Sequence, residues 1–119
     1  MFVKNLDQFE KEKINQGENT FKQVLIGSDV APNFAMRRFI IEPGGFMPLH
    51  SNSVEHEQIV LNGSAEVIIG DNKYEVKKND IVFIPAGVKH SYKTKGEEAF
   101  EFICVVPNKE DKITIAEGC

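Results

Sequence analysis

A chain of 119 residues with 41% hydrophobic and 27% charged side chains suits one domain built on one core. Nine Phe and no Trp make that core one of medium-sized side chains. The 18 acidic and 14 basic residues leave a net charge of −4, which argues against a nucleic-acid partner, since that needs a clustered basic surface.

In chain order, residues 7–19 are rich in Glu, Lys, Gln and Asn and read as an exposed lead-in with room for one short helical turn. From Phe21 onward short apolar runs alternate with turn residues, the all-β pattern. Strands are predicted at Phe21–Ile26, Phe34–Ile41, His56–Leu61, Ala65–Ile69, Lys73–Val76, Ile81–Ile84, Phe100–Val106 and Ile113–Ala116. Pro43-Gly44-Gly45, Asn62-Gly63, Gly70-Asp71-Asn72 and Pro85-Ala86-Gly87 punctuate them with residues that accept fixed or positive φ. So many short strands cannot lie in one flat sheet, so two packed sheets or a closed barrel are expected. Lys77-Lys78, beside Asn79-Asp80, reads as a solvated turn.

Cys104 lies in an apolar run and Cys119 is the last residue, which is no disulfide framework. The opening Met1-Phe2-Val3-Lys4-Asn5-Leu6-Asp7 is too polar and acidic for a signal peptide, and no apolar run approaches a membrane span. A cytoplasmic protein without a membrane partner is the expectation.

The chain holds three histidines, and their placement carries the chemistry. His50 and Asn52 share one face of an extended strand. His56 opens the next strand after a short turn, and His90 arrives after the Pro85-Ala86-Gly87 corner. Imidazoles converging inside a barrel make a site for a divalent transition metal. Tyr92 should share the face of His90, Gln58 that of His56, and Phe102 that of Cys104, which makes all four candidates for the pocket wall. Cys104 is either a small buried hydrophobe or a thiol at the rim of the pocket. Arg37 and Arg38 point to opposite faces, so one is covered. It is either half of an ion pair at the sheet surface or a contact for an anionic substrate.

The run from Gly44 through His50, Asn52, His56 and Glu57 to Gly63 resembles the first cupin motif, which reads G-x5-H-x-H, a short gap, then E-x6-G. The run Asp80 to His90, with Pro85-Ala86-Gly87-Val88-Lys89-His90 at its heart, resembles the second. Asn52 stands where the first motif has its second histidine, Asn79 replaces a glycine, and Thr94 stands where an Asn would be. The spacing to Gly63 selects His56 rather than Glu57 for the acidic ligand position. The chain is thus similar to the small all-histidine cupins of the manganese and iron type.

That resemblance implies a double-stranded β-helix, or jelly-roll barrel, of two antiparallel sheets over residues 21–119, and a homodimer with residues 1–20 exchanged. It implies one divalent metal per chain, Mn or Fe first and Zn, Ni, Co or Cu as the other candidates. His50, His56 and His90 would be the ligands, with Asn52 a weak ligand or bound through a water. Three imidazoles leave coordination positions open, as a catalytic centre requires. An oxygenase-like enzyme acting on a small organic molecule is the first expectation. A non-enzymatic ligand sensor is the second, and an isomerase or epimerase the third.

Overall fold

The structure, a computed structural model, describes residues 1–115. After a single 3-10 turn at Leu6–Gln8 come ten antiparallel strands. They are β1 (Glu12–Lys13), β2 (Glu18–Ile26), β3 (Phe34–Asn52), β4 (His56–Asn62), β5 (Ser64–Ile69), β6 (Asn72–Lys77), β7 (Ile81–Ile84), β8 (His90–Lys95), β9 (Phe100–Pro107) and β10 (Ile113–Ile115). They pair in the order β6-β5-β8-β3-β9-β4-β7, with β2 and β10 also hydrogen-bonded to β3 and β1 to β2. The result is the antiparallel barrel expected from the sequence.

β3 organises the barrel. Its first part pairs with β9 (Phe34↔Pro107 through Ile41↔Phe100) and its second with β8 (Phe46↔Lys93, His50↔His90). Pro43-Gly44-Gly45, expected to end a strand, is instead the bend at which β3 changes partners, with Gly44 at φ +81°. The other departure is β8, which the sequence pattern did not call. It alternates buried His90, Tyr92 and Thr94 with more open Ser91, Lys93 and Lys95. Its inward residues are polar, so apolar periodicity is silent there. The last predicted strand is seen as Ile113–Ile115, while Ala116 and Cys119 lie outside the described residues.

The core follows the period-two rule. β9 buries Phe100, Phe102, Cys104 and Val106 and leaves the residues between them half-buried. Phe102 stacks on Phe39 at 5.1 Å and Tyr92 at 5.0 Å, and meets Phe100 at 5.4 Å between ring centroids. Each fully buried side chain of this size is worth about 1.5–3 kcal/mol. The lead-in lies against its own barrel: Gln23 Nε2 donates to the carbonyls of Leu6 and Phe9, and Ile14 packs on the core.

Candidate functional site

His50, His56 and His90 come from β3, β4 and β8, and all are buried, at 6%, 6% and 1% exposure. The β3–β8 register sets His50 opposite His90, and their ring centroids lie 4.2 Å apart. The ring of His56 is 5.6 Å from that of His90. The three imidazoles thus lie together, while Glu57, the next residue after His56, turns outward.

Nδ1 of His50 lies 2.8 Å from the carbonyl of Pro48, and Nδ1 of His90 lies 3.0 Å from that of Val88. A carbonyl only accepts, so each Nδ1 donates, and each Nε2 is left with a free lone pair. Nδ1 of His56 is 3.1 Å from Cys104 Sγ, and its Nε2 is buried with no partner. Burial pushes His56 down to about 3, with Arg37, His90 and His50 adding to the effect in that order. Burial also pushes His90 down to about 4, against an upward pull from the Val88 carbonyl; His50 lowers it further and Asp111 raises it. Both rings are therefore neutral near pH 7, the state a metal ligand needs.

Gln58, Tyr92, Phe102 and Cys104 form the core layer next to these imidazoles. Gln58 Nε2 donates to Tyr92 Oη at 2.8 Å and approaches Cys104 Sγ at 3.6 Å. The phenol of Tyr92 is pushed well above its ordinary range by burial, and burial likewise raises the thiol of Cys104. None of the four borders the open cavity.

Asn52 has a partner that the sequence did not announce. Its Nδ2 donates to Asp111 Oδ2 at 3.0 Å, and Asp111 Oδ1 accepts from the backbone N–H of Ser53 at 3.0 Å. β10 then pairs with β3 along Ser51 and His50. With the amide nitrogen held by a carboxylate, the buried Asn52 Oδ1 is left without a partner.

A cavity of about 240 Å³ opens onto this end of the barrel, bordered by His50, Asn52 and His56. The two arginines of β3 divide their roles. Arg38 pairs with Glu101 and donates to Gln23 at 2.8 Å, while Arg37 borders the cavity with its guanidinium 5.1 Å over the Phe39 ring.

The donor chemistry fits a divalent transition metal: anchored imidazoles, an unpartnered buried Nε2 on His56 and an unpartnered buried amide oxygen on Asn52. As the side chains stand, however, no group of three His, Cys, Asp or Glu residues among those described is arranged to hold an ion. The rings are gathered, but the donor atoms are not closed on one point.

The chain is 35% identical over 77 residues to the xanthan biosynthesis protein XanB of Xanthomonas campestris pv. campestris, covering 63% of this chain and 16% of XanB. It is 30% identical over 77 residues to the 1-methylthio-D-xylulose 5-phosphate methylsulfurylase of Rhodospirillum rubrum, covering 65% of this chain and 49% of that protein. The chain thus spans half or less of the length of these relatives. Among solved structures, the polyketide cyclase RemF of Streptomyces resistomycificus superposes with a TM-score of 0.91 at 26% identity, over 100% of this chain and 87% of that one. The Cupin_2 model, a cupin domain, matches residues 37–106, and with the two motifs and the barrel already described, this makes the chain a member of the cupin family.

Proposed function

We propose that this cupin is a metal-dependent enzyme acting on a small organic molecule. In this reading His50, His56 and His90 are the nitrogen ligands, and Asn52 supplies an oxygen directly or through a water. The observation that carries it is the buried, unpartnered Nε2 of His56, beside two imidazoles whose Nδ1 atoms are already engaged. A divalent ion, Mn or Fe first and then Zn, Ni, Co or Cu, would supply Lewis-acid polarisation of a chelated oxygen. The chain's own groups do the rest: the carbonyls of Pro48 and Val88 fix two tautomers, Cys104 orients His56, and Asp111 aims the amide of Asn52.

Oxygenase-like chemistry is the first reaction class to test, by oxygen consumption of the metal-loaded protein with diketones, thiols and catechols. No uptake across that panel overturns it. A cyclase-type reaction is the second reading, favoured by the full-length likeness to RemF. A ligand-induced rise in melting temperature without turnover would favour the sensor reading. The epimerase reading has little support, because Tyr92 is enclosed and tied to Gln58. Element analysis of untagged protein against His50→Ala and His56→Ala tests the ligand set, and equal metal content in all three defeats it.

We also read the chain as a cytoplasmic homodimer. No helix among the described residues is long and apolar enough to cross a membrane. Ile59, Ile81 and Phe83 stand 40%, 74% and 55% exposed on β4 and the edge strand β7, an apolar face suited to a second copy. Phe83→Glu should shift the mass measured by light scattering to that of one chain. A single-chain mass for the unaltered protein ends this part of the reading.

A further inference from the structure

The cavity is electrically unlike the chain around it. The protein carries 18 acidic and 14 basic residues, yet among the described residues the cavity is bordered by Lys13, Lys22 and Arg37 and by no Asp or Glu. Lys13 is exposed, and Lys22 and Arg37 are half-buried.

Arg37 has the marks of a cation kept free. Its neighbour Arg38, on the other face of β3, also has a buried Nε without a partner, but its terminal nitrogens are engaged by the Glu101 carboxylate and by Gln23. Arg37 has no carboxylate within ion-pair distance among the described residues. Its Nε is buried without a partner, and its one hydrogen bond is a weak 3.8 Å contact from Nη2 to Cys104 Sγ. Holding a guanidinium partly out of water without a counter-ion is costly, and the cost is recovered when an anion arrives. The guanidinium lies over the Phe39 ring, and its planar fork suits a two-point grip on a carboxylate.

We propose that Arg37 is the anchor for a carboxylate of the substrate, so that the substrate class is a small carboxylic acid bearing a second oxygen function directed at His50 and His56. The cavity of about 240 Å³ is smaller than the roughly 300–1,000 Å³ of drug-sized ligand sites, which favours a compact molecule. The second half of this assignment rests on the metal reading above; the first half does not.

The test uses malonate and its neutral counterpart malonamide, with the full chain in metal-free and manganese-loaded form, at constant ionic strength. Malonate should raise the melting temperature of the unaltered protein and malonamide should not. Arg37→Met should fold with an unchanged or higher melting temperature and bind malonate at least tenfold more weakly by calorimetry, and Arg37→Lys should retain part of the affinity. An equal malonate response in Arg37→Met, or an equal response to malonamide, overturns the proposal. Metal content measured on the same samples separates the two readings. Malonate binding lost in Arg37→Met with manganese retained supports the anchor. A chain that retains neither manganese nor iron, zinc, nickel, cobalt or copper but keeps an Arg37-dependent malonate response defeats the metal reading and still supports the anchor.

Discussion

Acidifying the metal-free protein should destabilise it in a window set by His56 and His90. Both titrate in the folded state far below the ordinary value of 6.5, at about 3 and about 4. The unfolded chain therefore takes up protons that the folded chain refuses, so stability is fully present above 6.5 and is lost as pH falls toward the folded values. Lowering the pH from about 7 to about 5.5 costs about 1.3 kcal/mol for each ring, or about 2.5 kcal/mol for both, a large share of a typical folding free energy of about 5–15 kcal/mol. Carboxylates contribute little over this interval, because their ordinary pKa values lie near 4. Urea denaturation at the two ends of the interval measures the loss directly, and NMR of the ring protons assigns it. A stability unchanged across the interval, or either ring titrating near 6.5, would refute the reasoning.

Cys104→Val should cost about 1–3 kcal/mol by leaving Nδ1 of His56 buried and unpaired, and should weaken metal retention about 10–100-fold in a chelator competition. Cys104→Ser, which keeps a hydrogen-bonding group, should restore most of both. Asn52→His, which supplies the imidazole that the motif carries at this position, should tighten metal retention at least tenfold; unchanged retention would remove Asn52 from the ligand set. Phe102→Ala should lose about 3–5 kcal/mol in a denaturant titration, because Phe102 is the ring on which Phe39, Tyr92 and Phe100 all pack.

Much of the site was legible because inward and outward positions alternate along a strand. His56 in and Glu57 out, Gln58 in, Tyr92 beside His90 and Phe102 beside Cys104 all follow from period two. What alternation cannot give is the identity of a face. It put Arg37 and Arg38 on opposite sides but could not say which met an acid, since Glu101 comes from β9. Nor could it find Asp111, whose bond to Asn52 spans 59 residues and belongs to no local pattern. β8 was missed because a strand that lines a polar site buries polar side chains, and the bend in β3 was missed because Pro and Gly look alike in a turn and in a bulge.

The bend at Gly44 has a mechanical meaning. Arg37 lies on one side of it and His50 on the other, along one continuous strand. The spacing between Arg37 and His50 along the cavity is thus set by the path of one backbone, through this kink and the register shift between Met47 and His50 that follows it. A Cβ at Gly44 would touch nothing within 4 Å, so replacing this residue perturbs the backbone angle alone. The molecule carries a built-in ruler from Arg37 to His50, and Gly44, which does not border the cavity, is a position at which that ruler can be recalibrated.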